Sequence, residues 1–478
     1  MGRSRVLLAA AVAVAVAVSV AAALAYAGGV FGAGSPAPGS TEELTLPMSD
    51  GAELACSVTY PENVPNGTFP GGGHPGVILF PGLGQTHADL LSTAQFFSGD
   101  GYEALACDAR GTGASTGDFG LDAPRDLEDA RELFGWLAGQ LGNDDIGGFG
   151  LSLGGAEVWS SAVAGVPFKA IVPAATWTSL GRALAPDGVV NDGLAHALAD
   201  AAPAARWDQS LGQVRAGLLA GSFTSAVQSA AATRSTSSRL HLLTVPTLML
   251  QGRHDDDFDL DQALAAYRRL AGPHLLYLGD LGAAPSSNPA AEQAVYMKLA
   301  AKFFDRYVKG LRDVDPGKSG AVELAHDPWD GLVTTFAALP PTRGDSVTLP
   351  GTTTLSREET AVRGARLTGG PLESFGAGSV VVRYAGASRW THLVATVSVQ
   401  GSTTPLAVGA APVTKPAGLL RIPLLDEAGL LPRGKRIVVA LGATSPDGVF
   451  TDEEPSGASI AIGRFTLKLS LLRLAVSR

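Results

Sequence analysis

Little of this chain is charged and almost none of it is sulfur. Of 478 residues only 17% are Asp, Glu, Lys or Arg, with two cysteines and four methionines. The net charge is -10, and no Lys/Arg cluster follows Arg3 and Arg5. Nothing therefore offers the basic face that holds nucleic acid, and a small-molecule or peptide substrate is the expected partner. Histidine is sparse as well: the eight stand singly at positions 74, 87, 196, 241, 254, 274, 326 and 392. The one acidic run, Asp255-Asp256-Asp257, lacks the glycine spacing of a calcium loop, so no metal is expected. Oligomeric state is not legible.

Hydrophobic residues make up 46% of the chain and glycine alone contributes 60 residues, which excludes a disordered polymer and implies a globular protein rich in small residues. The length suits two domains. An uncharged run from Val6 to Ala27 ends in Ala25-Tyr26-Ala27, a small-x-small site of the kind signal peptidase cuts. Residues 1–27 are expected to be a cleaved signal peptide, with an uncleaved N-terminal anchor as the rival and the sole membrane contact. No cysteine follows the run, which excludes a lipoprotein anchor. Residues 28–42, rich in Gly, Ser and Pro, are expected to be a flexible linker. The expected location is secreted, or at the extracellular face of the membrane.

From Thr41 the pattern reads as a strand hairpin, "TEELTLP" and "AELACSVTYP", followed by alternating strands and helices. The strands are "GVILFPG", "YEALACDARG", "DIGGFG", "FKAIVPAAT", "VPTLMLQG" and "PHLLYLGDLG", and a long helix, "AAEQAVYMKLAAKFFDRYVKG", closes the unit. Such alternation predicts an α/β fold with a mainly parallel sheet covered on both faces. Residues of about 179–243 have helical character without strands and are expected to form an inserted cap. After Gly310 five β-rich runs, from "SVVVRYAG" to "ASIAIGRFTLKLSLLRL", predict an all-β sandwich of the jelly-roll kind. The expected domains are 43–312 and 313–478.

Two stretches match G-x-S-x-G: "GASTG" around Ser115 and "GFGLSLGG" around Ser152. Ser152 follows a short apolar strand and precedes a helix opened by Gly154-Gly155, as a strained strand-to-helix nucleophile needs. Ser115 continues into loop residues and reads as a glycine-rich turn.

The motifs "ACDARGTGASTG", "IGGFGLSLGG", "TWTSLGRALAPDGVV", "LMLQGRHDDDF" and "LYLGDLG" stand in this order ahead of a β-rich C-terminus. Together they resemble the Xaa-Pro dipeptidyl-peptidase and cocaine esterase family of serine hydrolases. The resemblance implies an α/β-hydrolase domain with a helical cap and a jelly-roll domain, acting on peptide, ester or acyl-amide bonds without a cofactor. It implies Ser152 as nucleophile and Asp255 as triad acid, with Asp256 as fallback. The oxyanion hole would use the backbone amides of Leu153 and, from "FPGLGQ", Leu83. The family's histidine belongs just after the eighth strand, but Ala283 or Ala284 stands there. His254 is the substitute base nearest in sequence, and His87 begins the helix after the oxyanion loop. Trp177 either floors the substrate pocket or packs between cap and core. The hairpin's second strand and the fourth strand are neighbours in this fold, so Cys56 and Cys107 are expected to form a disulfide, the alternative being two buried thiols. The chain is thus expected to be a secreted serine hydrolase with an impaired triad, or a catalytically silent extracellular binding module on the same scaffold.

Overall fold

The computed structural model describes residues 37–62, 73–200, 204–367, 370–402, 404–425 and 427–473. The N-terminal segment read as a leader, and most of the expected linker, lie outside the described residues.

A ten-stranded sheet organises the first two thirds of the chain, in the order β1-β2-β4-β3-β5-β6-β7-β8-β9-β10. Its strands are β1 Thr41–Pro47, β2 Glu53–Thr59, β3 Gly76–Phe80, β4 Glu103–Cys107, β5 Ile146–Leu151, β6 Ala170–Ala174, β7 Thr247–Gly252, β8 His274–Gly279, β9 Val322–Ala325 and β10 Val333–Phe336. From β4 through β9 neighbouring strands run parallel, while β1, β2 and β10 are antiparallel to theirs. Strand residues alternate between two apolar layers because the side-chain period is two. Val77 and Leu79 pack with Phe97 and Phe304 on one face, and Ile78 and Phe80 with Leu133 and Val158 on the other.

The helix Pro124–Leu141 shows how local signals place these layers. Proline opens it, the Asp126 carboxylate caps the Ala123 N–H at 2.7 Å, and Gly142 closes it with φ 68°. Its buried positions Ala130, Leu133, Phe134, Leu137 and Leu141 fall on one helical stripe against the sheet.

The expected boundary at 312 is corrected. Strands β9 and β10 follow the closing helix Ala290–Tyr307 yet extend the first sheet, β9 pairing with β8. The cap is helical as expected, with helices Leu180–Leu184, Asp192–Asp200, Gly212–Leu219 and Ser225–Thr233.

Residues 342–472 form two main antiparallel sheets, one centred on Ser459–Leu472 and Ser379–Ser388, the other on Arg436–Gly442 and His392–Val399, with a two-stranded ribbon of Leu372–Glu373 and Leu430–Leu431 beside them. Their inner faces share one core that includes Val380, Val382, Leu393, Val439 and Phe465. The cap is tied to this domain: the Asp192 carboxylate accepts the N–H groups of Thr451 at 2.7 Å and Asp452 at 3.2 Å.

Cys56 and Cys107 face each other in register across β2 and β4 and are disulfide-bonded. The bridge closes a separation of 51 residues, for which loop-closure entropy gives about 4 kcal/mol. Replacing both cysteines with serine is expected to cost up to about that much, read as a lowered urea midpoint with a steeper slope, since the uncrosslinked denatured chain exposes more surface.

Candidate active site

Ser152 sits between β5 and the helix Leu153–Val163 with φ 56° and ψ -120°. A side chain at positive φ costs roughly 1–3 kcal/mol, and the surroundings hold it there. Its N–H donates to the Ala174 carbonyl at 2.9 Å, and its carbonyl accepts the Thr176 hydroxyl at 2.6 Å. Glycine is required on both flanks. A Cβ at Gly150 would lie 2.3 Å from the Gly154 carbonyl, and one at Gly154 would lie 2.0 Å from the Phe80 carbonyl oxygen. The helix can therefore start directly beneath the ends of β3 and β5, and the serine is lifted above the sheet edge. Its hydroxyl bonds to no protein atom among the described residues, and the residue is half-buried.

The backbone amides of Leu83 and Leu153 likewise donate to no protein atom among the described residues. The loop bearing Leu83 is pinned from within. The Gln85 side-chain oxygen accepts the Gly82 N–H at 2.8 Å, and the Gln85 N–H donates to the Gly82 carbonyl at 3.0 Å. The Leu83 and Leu153 side chains join one apolar cluster with Phe119, Leu121 and Trp177. Two unspent N–H groups beside a strained serine form an arrangement suited to a developing oxyanion. Sequence reading missed Gln85 and Thr176, since nothing in a lone Gln or Thr signals a loop clamp.

Asp255 follows β7, two strands from β5 in the sheet order. It is 2% exposed. Its Oδ1 accepts the N–H groups of Asp257 at 3.1 Å and Phe258 at 3.0 Å. Its Oδ2 is buried and has no hydrogen-bond partner among the described residues. That oxygen faces the loop after β8: a Cβ at Gly282 would come within 2.1 Å of it, and the Ala283 amide beside it favours ionisation without closing a bond. Residue 255 bridges Pro285, and the Asp256 N–H donates to the Ala284 carbonyl at 3.3 Å. Burial pushes the Asp255 carboxyl up to about 7. The acid is thus turned toward the segment where a triad histidine would stand, with its oxygen against Gly282 and the Ala283 backbone N–H near its carboxylate.

None of the eight histidines reaches Ser152. His254 turns the other way: Nε2 lies 2.8 Å from Asp327 Oδ2, and Nδ1 lies 3.9 Å from Glu427 Oε2. Burial pulls its pKa down, but the hydrogen bonds and charges of Asp327 and Glu427 prevail and raise it to about 9. It is a cation between two carboxylates, which corrects the expectation of a substitute base. His87 holds Asp108 at 2.7 Å through Nδ1 and Glu43 at 2.7 Å through Nε2. Both partners lie on the β4 and β1 side of the sheet, away from β5. His74 pairs with Glu103, His274 with the Gly272 carbonyl, His326 with Asp330 and Thr334, and His392 with the Ala443 carbonyl. His196 and His241 are exposed on the cap.

Ser115 is a turn serine: its hydroxyl accepts the Ala55 N–H at 3.0 Å and donates to the Asp108 carbonyl at 2.9 Å. Trp177 is fully buried, donates to the Arg234 carbonyl at 2.8 Å and packs on Phe258. It packs between cap and core. Asp256 is raised to about 9 by burial and then by Glu427 and Asp447, Glu427 to about 7 by burial, and Asp257 to about 6 by burial alone. Among the described residues no group of His, Cys, Asp and Glu is arranged to hold a metal ion.

These shifts set a pH dependence. Acids raised in the folded state favour folding fully below their unfolded values near 4, and that advantage is lost as pH rises through about 6, 7 and 9. His254, raised from 6.5 to about 9, loses its contribution in the same direction between those values. Thermal unfolding is therefore expected at higher temperature in mildly acidic than in mildly alkaline buffer, checked by differential scanning calorimetry across that window.

A parallel sheet with an opening hairpin, a strained serine after β5, an acid after β7 and an inserted helical cap define an α/β-hydrolase. The X-Pro dipeptidyl-peptidase (S15 family) model matches residues 40–282, over half of the chain. The chain belongs to that family of hydrolases. Among solved structures, a CocE/NonD family hydrolase from Staphylococcus aureus is 15% identical, with TM-score 0.69 over 90% of this chain and 94% of that one. An alpha-amino acid ester hydrolase is 14% identical, with TM-score 0.63 over 93% of this chain and 98% of that one. An aminopeptidase from the marine sediment archaeon Thaumarchaeota archaeon is 14% identical, with TM-score 0.63 over 93% and 99%. These likenesses show the shared fold across both domains. No curated protein matches the chain.

Proposed function

We propose that this chain is an exported S15-type serine hydrolase that binds ester, peptide or acyl-amide substrates at Ser152 and turns them over slowly, because its triad has a nucleophile and an acid but no histidine. One observation carries this reading: all eight imidazoles are placed and none bonds Ser152, while Asp255 keeps a buried oxygen, unpartnered among the described residues, against the Gly282 end of the loop after β8. The Ser152 hydroxyl would attack the acyl carbon, and the amides of Leu83 and Leu153 would bind the oxyanion. With no base beside it, the hydroxyl proton passes to water, and a general base is worth about 10²–10⁴-fold in rate. The neighbours described as an ester hydrolase and an aminopeptidase support the substrate classes. The Cys56–Cys107 bond and the alanine-rich leader after Arg3 and Arg5 support export.

The missing imidazole equally favours a second reading, a binding module without turnover. Labelling with a fluorophosphonate, read by intact mass, separates the two. Slow stoichiometric labelling that Ser152→Ala abolishes is expected for the hydrolase. No labelling over a day, with the protein folded, supports the binding module instead.

A further inference from the structure

We propose that the Ser152 site takes its base from outside the chain, as a neutral imidazole, free or carried on the substrate, seated between the Asp255 carboxylate and the Ser152 hydroxyl over Ala283. The inference rests on the reading of Ser152 as a nucleophile and specifies what completes it.

Three observations define the seat. Asp255 Oδ2 is a buried acceptor with no partner, and an unmade hydrogen bond at such a group is costly. The Ser152 hydroxyl is a donor with no partner among the described residues. Ala283, the residue beside Asp255 Oδ2, is half-buried and carries only a methyl group. β5 and β7 are separated by one strand, β6, so the residues at their ends stand about 10 Å apart at ordinary strand spacing. Two hydrogen bonds of about 2.8 Å with a five-membered ring between them span roughly 7–8 Å, the gap that would remain once the Ser152 and Asp255 side chains reach inward from those ends.

The polarity of the two ends selects the ligand. Asp255 needs a donor and Ser152 needs an acceptor. A neutral imidazole offers one of each, whereas an ammonium or guanidinium offers donors alone and cannot take the serine proton. In the step, one ring nitrogen accepts the Ser152 proton as the Oγ–carbon bond forms. The imidazolium then returns that proton to the leaving oxygen or nitrogen as its bond to the acyl carbon breaks. Water deacylates the serine by the same exchange, and the imidazole is regenerated. Asp255 stabilises the imidazolium throughout.

The test measures the fluorophosphonate labelling rate of Ser152 by intact mass while free imidazole is titrated, with Ser152→Ala as the blank. A saturable rise of at least about tenfold is expected, and Ala283→Leu, which fills the seat and leaves Asp255 intact, should remove it. Asp255→Asn should remove it as well, provided the variant melts like the wild type. A second arm compares esters of an imidazole-bearing acid with phenyl isosteres, without added imidazole. Faster turnover of the imidazole esters identifies the substrate as the source, and rescue confined to free imidazole identifies a small molecule; both support the proposal. If Ala283→His labels fast while the wild type ignores imidazole in both arms, the proposal falls and the nucleophile reading stands. If neither labels, Ser152 itself has been misread. A linear, unsaturable response that Ala283→Leu leaves unchanged also overturns the proposal.

Discussion

Ala283→His is expected to raise the reactivity of Ser152 by about two orders of magnitude or more, the lower part of what a positioned general base supplies. Position 283 is favoured over 284 because Asp255 Oδ2 lies beside Gly282 and the Ala283 amide, whereas Ala284 is exposed and its carbonyl is engaged by the Asp256 N–H. A new imidazole there meets an acceptor that already lacks a donor, so its ring orientation and tautomer are set without further change. Labelling and ester turnover should rise together, with a pH profile that follows deprotonation of the new histidine. Ala284→His is the matched control and should leave the rate near that of the wild type. If Ala283→His folds and both rates stay flat, the oxygen facing Gly282 is not the acid of a triad.

The elbow was legible because its signals are local. Glycine on either side of Ser152 and an apolar strand before it are chain-neighbour facts, and Gly154 lies so close to the Phe80 carbonyl that no other residue fits unchanged. The parallel strands were legible for a related reason: buried on both faces, they read as continuous apolar runs. The short strands β9 and β10 were not, since four-residue stretches among Pro, Asp and Gly carry no period. The strand Pro405–Pro412 was hidden by its Ala, Gly and Pro content, although cross-strand pairing with His392–Val399 holds it. The chemistry of His254 was illegible for a different reason. Its partners Asp327 and Glu427 are 73 and 173 residues away; the first arrives with the late strands β9 and β10 and the second only when the β domain docks. Proximity in sequence to Asp255 suggested a base, while packing made it an ion-pair cation.

The same docking makes Arg253→Met one of the most damaging single changes, expected to cost about 3–5 kcal/mol. Arg253 leaves the end of β7 two residues before Asp255 and is 1% exposed. Its guanidinium donates to the Ala428 carbonyl at 2.8 Å, to the Ala325 carbonyl and to the Glu373 carboxylate. One side chain thus holds the first sheet at β9 and two separate segments of the β domain. The Ala428 N–H returns a bond to the Arg253 carbonyl at 3.1 Å. The planar fork is needed to reach three acceptors at once, so Arg253→Lys should recover little of the loss. With methionine in its place, Glu373, which is fully buried, loses its cation, and that accounts for most of the penalty. Pairing Arg253→Met with Glu373→Gln should therefore recover more than half of the lost stability in urea unfolding, a coupling that two independent sites would not show. The imidazole-stimulated labelling of Ser152 should fall in Arg253→Met and recover in the pair, because the loop that aims Asp255 begins at this anchor.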